Sequence, residues 1–224
     1  MGLTLKGPAL QNFRTYYTFL SEKNQVMNLT AISGEAEVAR LHFLDCLAIL
    51  GQGDFSGARV IDIGSGAGFP GLPLKIAQPD IQLTLLDAQQ KRVRFLEELC
   101  ERLSGIGARC LHARAEEAAL DLELRDSFDF ALSRAVARLN VLTELCLPFV
   151  RVGGAFIAMK GPDCDEEIAE ARHAVTFLGG AIENTVDYTL PGTDITHRLV
   201  IIRKTAKTPK NYPRRFPKIQ KNPL

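Results

Sequence analysis

The sequence predicts an α/β fold of the doubly wound kind, a mostly parallel sheet with helices on both faces. Three observations carry that reading. From Arg59 onward, short apolar strands alternate with helix-length amphipathic segments, the pattern of successive βαβ units. A glycine loop, Gly64-Ser65-Gly66-Ala67-Gly68, stands between the first strand and the helix after it, where such a sheet carries its ligand loop. An aspartate, Asp87, closes the second strand, 23 residues after Gly64.

The elements follow in order. Residues 8 to 58 read as helical: Phe13, Tyr16, Tyr17 and Leu20 recur at helical spacing, as do Val38, Leu41, Phe43, Leu44, Leu47 and Leu50. Ser33 or Gly34 can cap the second helix, with Glu35 and Glu37 near its positive end. Gly51, Gly53 and Gly57 then break the pattern. Residues 60–63 form the first strand. Pro70 can open the next helix, to Ala77, because proline is tolerated in a first turn. Residues 81–86 form the second strand. Helix 89–103 puts Val93, Leu96, Leu99, Cys100 and Leu103 on one face and ends at Gly105. Further strands are expected at 109–112, 128–132 and 155–159. Further helices are expected at 139–150, with Pro148 ending its regular part, and at 164–178. Strands 181–190 and 197–203, joined by Pro191-Gly192-Thr193-Asp194, predict an antiparallel edge. The chain thus divides into a helical extension (1–58), an α/β domain (59–204) and a tail (205–224).

Composition narrows the class. With 224 residues, 46% hydrophobic and 24% charged, the chain has the length of one domain and enough apolar material for a core, which excludes disorder. Its charge-free stretches fall well short of the roughly 18–20 residues a membrane span needs. Met1 to Lys6 lacks a basic segment leading into a long apolar one, which argues against a secretory leader. Five cysteines, an odd number with no CxxC pair, argue against a disulfide framework or zinc cluster and for a reducing, cytoplasmic compartment. No cluster has metal-ligand spacing, so no metal is expected.

Net charge is +1, but its distribution is uneven. From Arg203 to the end there are eight basic residues and no acidic one, leaving 19 basic against 26 acidic in the rest. An acidic body with a basic tail suggests a polyanion such as nucleic acid; a solvated terminal strand is the plainer alternative. Tyr212 and Phe216 could stack on unpaired bases. Pro209, Pro213, Pro217 and Pro223 argue against a regular helix there.

The glycine loop admits two ligands. Gly66-Ala67-Gly68-Phe69-Pro70-Gly71 matches the literal GxGxxG fingerprint, which rests a pyrophosphate on a helix N-terminus. Taking Gly64, Gly66 and Gly68 as the loop instead adds Asp62 two residues ahead. A carboxylate there repels a pyrophosphate and suits an ammonium or sulfonium, and S-adenosylmethionine carries both. The offset favours the second reading, because the loop starts directly after the apolar run. Asp87 can accept hydrogen bonds from both ribose hydroxyls of either cofactor. Ala115-Glu116 follows the third strand, near the expected place of an adenine; taken alone, Glu116 is equally a helix-start carboxylate.

Asn28-Leu29-Thr30, His42-Phe43-Leu44-Asp45, the stretch Asp62 to Gly71, Leu86-Asp87 with Lys91-Arg92, Ser133-Arg134-Ala135 and Met159-Lys160-Gly161 occur in this order. On these motifs the chain resembles the ribosomal RNA small-subunit methyltransferase G family, also called glucose-inhibited division protein B, from about residue 24 to the C-terminus. The resemblance implies a Rossmann-like S-adenosylmethionine-dependent methyltransferase fold with an N-terminal helical extension. It also implies methylation of the seven-position nitrogen of one guanine in bacterial 16S rRNA, with small-subunit RNA or the small subunit as partner. By motif match, Gly64 and Phe69 are expected at the cofactor, with Gly66 between them in the same loop, Ala115-Glu116 beside its adenine, and Arg134 facing it. The tail from Tyr212 to Arg215 and the final Asn222-Pro223-Leu224 resemble the basic tail of many members, with Phe216 where a glycine is usual.

The chemistry is compatible with this on its own terms. After the fourth strand stands Ser133-Arg134-Ala135-Val136, not the Asn/Asp-Pro-Pro-aromatic motif that holds an exocyclic amine, and no cysteine follows that could attack a pyrimidine. What remains is an acceptor with its own lone pair, such as a ring nitrogen. It needs no general base, so no acid–base residue is assigned and the protein's task is positioning and desolvation. His42 is expected to be structural. Lys160 meets an RNA phosphate or caps a strand end. Arg134 contacts the cofactor carboxylate or RNA, or makes an ion pair. Arg214 and Arg215 are expected at RNA, and Asn28 at the guanine edge. Two rival functions stay open: a nicotinamide-dependent oxidoreductase, and a non-catalytic RNA-binding assembly factor.

Overall fold

In the computed structural model, which describes residues 5–224, seven strands form one sheet: β1 (Arg59–Ile63), β2 (Gln82–Asp87), β3 (Ala108–His112), β4 (Phe128–Arg134), β5 (Val150–Lys160), β6 (Gly180–Thr189) and β7 (Thr196–Lys204). Met1 to Thr4, part of the stretch read for a secretory leader, lie outside the described residues. The strand order is β3-β2-β1-β4-β5-β7-β6. β1 to β5 pair in parallel, and β7 runs antiparallel to both neighbours, as the late turn predicted. Strand β1 is buried from Val60 to Ile63, as expected of a parallel strand covered on both faces. The chain leaves β1 towards β2 and β3, then returns to β4 on the other side. A crevice opens at that reversal, beyond the strands' carboxyl ends. Register pairs Ile63 with Leu86 and Asp62 with Leu132, so Gly64, Asp87 and Arg134 reach the same edge.

The helices are α1 (Gly7–Met27), α2 (Glu35–Val38), α3 (Asp45–Leu47), α4 (Gly71–Ala77), α5 (Gln90–Arg102), α6 (Ala115–Ala118), α7 (Leu139–Cys146), α8 (Asp165–Phe177) and α9 (Phe216–Lys221). The second helical segment is less regular than its spacing suggests. A π-helical turn, Ala39–Leu44, links α2 to α3, and a 3-10 turn, Ala48–Gln52, follows. A π turn widens the helix by one residue, and here it carries His42. Helix α7 also ends early, at Cys146, because Pro148 sits in a following 3-10 turn.

Two apolar cores lie against the sheet. One contains Tyr16, Phe19, Phe69, Leu85 and Phe95, and the other Ile61, Phe149, Phe156 and Val200. Helix α1 therefore shares the sheet's own core: Phe19 stacks on Phe95 at 5.3 Å and Tyr16 on Phe69 at 5.4 Å. Among the described residues no helix is long and apolar enough to cross a membrane.

The tail departs from expectation. Its prolines do not exclude a helix, because Pro217 falls in the first turn of α9, where its missing N–H would have had no helical partner. The segment is docked rather than trailing. Arg125 donates to the carbonyls of Thr208, Pro209 and Tyr212, and Ile219 is fully buried.

Candidate active site at the carboxyl edge of the sheet

The glycine loop bends over the end of β2: the backbone N–H groups of Gly64 and Ser65 both donate to Leu86 O, at 2.8 and 3.1 Å. Two glycines are required by geometry. Gly64 has φ +74°, and a Cβ there would stand 2.6 Å from Val136. Gly68 has φ +101°, and a Cβ there would stand 2.6 Å from both Tyr16 Oη and Leu72 Cδ1. Tyr16 Oη itself donates to Ala67 O at 2.6 Å, so α1 supports the loop from behind.

Asp87 is 3% exposed. Its Oδ2 accepts from Gly66 N at 2.9 Å and its Oδ1 from Gln89 N at 2.8 Å. Each oxygen keeps a further lone pair, so the carboxylate is fixed and can still accept ligand hydroxyls.

Asp62 requires a correction. It was expected to present negative charge to the ligand, but it is fully buried and does not line the cavity. Its Oδ2 accepts from Gly71 N at 2.8 Å, and its Oδ1 has no hydrogen-bond partner among the described residues. Burial pushes the carboxyl up to about 7, against the Gly71 N–H bond and the Arg134 charge, which pull it down. Asp62 clamps α4 to the loop; it does not select a cation. Parity explains the difference: its side chain points to the α4 face of the sheet, not along the strand end.

The main cavity, about 500 Å³, is walled by Gly64, Gly66, Phe69, Asp87 and Arg134, together with Thr30 and Arg92. A second, mostly apolar slot of about 230 Å³ contains Ala115 and Glu116 and shares Gly64, Ala88 and Val136 with the first. The sequence-predicted cofactor residues therefore fall into two joined compartments. One is polar with a fixed carboxylate, and the other is lined by Ile63, Leu86 and Leu145. This donor set fits an adenosine-bearing ligand with a polar tail: the apolar slot suits a flat base, Asp87 suits ribose hydroxyls, and Arg134 suits a carboxylate. Ala135 adds an unusual backbone, with φ +56° at the cavity wall. A non-glycine residue in that region is strained, and such strain concentrates at functional sites.

Arg134 is held by a buried network. It donates to Asp45 Oδ2 at 3.1 Å and to His42 Nδ1 at 3.2 Å, and its guanidinium lies 4.7 Å from the Phe69 ring centroid. Asp45 Oδ1 in turn accepts from Tyr188 Oη at 2.6 Å and lies 2.8 Å from His197 Nδ1. The β6–β7 edge thus fixes a residue of the cavity from behind. Arginine can only donate, so His42 Nδ1 accepts and Nε2 carries the proton, bonding Thr30 Oγ1 at 2.7 Å. Burial, then the Arg134 charge, lowers the His42 pKa to about 4. His42 is thus held neutral between Arg134 and Thr30, and it stands at the cavity wall rather than away from the site.

This predicts a pH dependence. An unfolded histidine titrates near 6.5, so between about 6.5 and 4 the unfolded chain binds the proton and the fold does not. The stabilisation is complete above 6.5 and is lost as pH falls towards 4. The unfolding free energy of wild type minus His42→Gln should shrink by roughly 2–3 kcal/mol over that window. A difference that stays constant with pH would show that His42 is not held neutral.

The expected RNA contacts are only partly available. Lys160 donates to Ala137 O and pairs with Glu167, which also accepts from Leu139 N; it locks the β5 end to α7 and α8. Arg214 pairs with the fully buried Glu144 at 2.6 Å. Tyr212 packs edge-on against Phe177, and Phe216 lines the apolar slot, so neither ring is free as a stacking platform. Asn28 takes the left-handed C-cap of α1, φ 51°. Thr30, two residues on, is the member of that motif that reaches the cavity. Arg215, Lys207, Lys210, Lys218 and Lys221 are exposed and pair with no carboxylate among the described residues. Sequence reasoning missed Thr30, Arg92, Val136 and Phe216 as wall residues. Thr30 and Arg92 lay inside the family motifs; Val136 was read only for what its stretch lacks and Phe216 only as a ring for RNA bases, because nothing local places either at the cavity wall.

Comparison with known proteins agrees with this geometry. The family model described as rRNA small subunit methyltransferase G matches residues 9–194. Ribosomal RNA small subunit methyltransferase G of Clostridium beijerinckii is 44% identical, over 100% of this chain and 94% of its own length. That of Caldanaerobacter subterraneus is 47% identical with the same coverage. Among solved structures, TrmN from Thermus thermophilus superposes with TM-score 0.55 at 19% identity, covering 71% of this chain and 48% of its own. A SAM-dependent methyltransferase from Methanosarcina mazei gives TM-score 0.55 at 16% identity, covering 71% and 98%. Those two likenesses bear out the Rossmann-like methyltransferase fold. The matched stretch takes in the walls of the main cavity, those of the apolar slot except Phe216, and the helical segment that supports the glycine loop, and the chain belongs to the rRNA small subunit methyltransferase G family.

Proposed function

We propose that this chain transfers the methyl group of S-adenosylmethionine to the seven-position ring nitrogen of a guanine in bacterial 16S rRNA, acting in the cytoplasm. The observation that carries the cofactor is the pair of joined compartments. Gly64, Gly66, Phe69 and Arg134 line the compartment that would hold the amino-acid end, Asp87 would receive the ribose, and the slot at Ala115-Glu116 would take the base. When bound, the cofactor supplies an electrophilic methyl group on a cationic sulfur. The chain's residues position and exclude water; none need move a proton, because a ring nitrogen already owns the attacking lone pair. Ser133-Arg134-Ala135-Val136 supports that acceptor class, since it offers no amine-holding motif and no thiol. Arg134 is kept in one orientation by Asp45 and His42, so it can serve as a fixed positive wall.

The RNA is held mainly by the exposed cations of the tail. Replacing Lys207, Lys210 and Arg215 together with alanine should weaken binding of a 16S fragment. It should also flatten the salt dependence, lowering the slope of log K against log salt by about 0.7–0.9 for each phosphate that the tail no longer neutralises. An unchanged slope in a salt titration would move the RNA surface elsewhere. The function itself is tested by incubating labelled S-adenosylmethionine with small subunits from cells lacking the gene, then mapping the label. Label on a 16S guanine at which the strand breaks after borohydride and aniline treatment, a scission specific to N7-methylated guanine, supports the reading. Label on another atom replaces the acceptor, and absence of label favours an assembly factor without turnover.

A further inference from the structure

We infer that Phe216, supplied by the C-terminal segment, is a wall of the nucleobase slot and a binding residue for the adenine of the cofactor. The inference rests on the cofactor reading above and deepens it. Phe216 lines the slot together with Ile63, Leu86 and Val136. Its place there is held by the chain on both sides. Two residues before it, Arg214 is locked to Glu144, with Nε and Nη2 each within 2.8 Å of a carboxylate oxygen. Three residues after it, Ile219 is fully buried. Its own N–H lies 3.4 Å from Glu116 Oε1, which also accepts from Arg114 Nε at 2.6 Å. The Arg114 guanidinium lies 5.1 Å from the Phe216 ring centroid, which leaves the remaining ring surface for the slot.

Among the described residues, Phe216 is the one aromatic ring in a slot whose other walls are mostly aliphatic, apart from Arg114 and Glu116, and it favours a planar heteroaromatic guest through offset or edge contacts that aliphatic side chains cannot make. Glu116 is then shared between the expected base site and the tail: it fixes Arg114, and through the Phe216 N–H it orients the ring. The same segment carries the exposed Arg215 and Lys218 on either side of Phe216. One short stretch of chain therefore contributes both to the cofactor slot and to the cationic surface.

The chain contains no tryptophan, so Phe216→Trp places a single fluorescent reporter in the slot. Titration of the full-length variant with S-adenosylhomocysteine should change its emission, saturating at the concentration at which calorimetry shows binding. Phe216→Ala should bind S-adenosylhomocysteine about tenfold more weakly than wild type. Phe216→Leu, which keeps the packing of the segment, should lie between the two, and adenosine alone should show the same ranking. If wild type binds S-adenosylhomocysteine but the tryptophan emission is silent and Phe216→Ala binds equally well, this inference alone falls. If wild type binds no S-adenosylhomocysteine at all, the cofactor reading falls and takes the inference with it.

Discussion

Replacing Arg214 with alanine is expected to destabilise the protein by about 3–5 kcal/mol, because it leaves an ion buried without its partner. Glu144 is fully buried, and Arg214 supplies two side-chain groups and a backbone N–H to its carboxylate. Equilibrium urea unfolding should show the midpoint fall accordingly. Arg214→Lys should cost less but not nothing, since a lysine keeps the charge and loses the fork that matches a carboxylate. A paired apolar replacement, Glu144→Leu with Arg214→Met, should recover most of the loss, because no charge then stays buried. By contrast Arg215→Ala, one residue on and exposed, should leave stability within about 0.5 kcal/mol of wild type. If Arg214→Ala proved as mild as Arg215→Ala, the tail would not be docked through Glu144.

Gly68→Ala should destabilise by about 2–5 kcal/mol, combining a left-handed backbone worth about 1–2 kcal/mol with overpacking worth about 1–3 kcal/mol. The new methyl carbon would stand 2.6 Å from Tyr16 Oη and from Leu72 Cδ1. Both side chains are fully buried, so relief must displace them within the packed core beside the loop, and binding of S-adenosylhomocysteine should fall with stability. Gly107→Ala is the matched control, since a Cβ there meets nothing within 4 Å and its φ is not left-handed. Combining Gly68→Ala with Tyr16→Phe removes one of the two clashes and should restore part of the stability. Calorimetric unfolding of the three variants checks this ranking; equal loss at Gly68 and Gly107 would refute it.

The contrast between Arg214 and Arg215 also shows where residue-level reading stops. Both are arginines in a basic, proline-containing tail, and both were expected at RNA. Nothing in the neighbouring sequence distinguishes them. The distinction comes from Glu144, 70 positions away on α7, brought under Arg214 by the packing of the tail. Lys160 behaves in the same way, since Glu167 and the Ala137 carbonyl claim its charge. Long-range ion pairs have no local signature, so the partner of a cation cannot be read from its neighbours in sequence.

The strand, the glycine loop and the aspartate at the next strand end form a different case. Their geometry is set by short-range rules: a buried apolar run, backbone positions that need glycine, and a carboxylate at a fixed offset. Residues 59–87 therefore announce the fold, and Gly64, Gly66, Phe69 and Asp87 do line one cavity. Asp62 lies in the same stretch, yet its side chain faces α4 and Gly71, not the ligand space. Identity and position along a strand are local, while the layer a side chain enters depends on what packs over it. The tertiary structure alone decided that Asp62 braces, that Arg134 is gripped through Asp45 from the far sheet edge, and that Phe216 closes the slot, because each depends on groups that meet only when distant segments fold together.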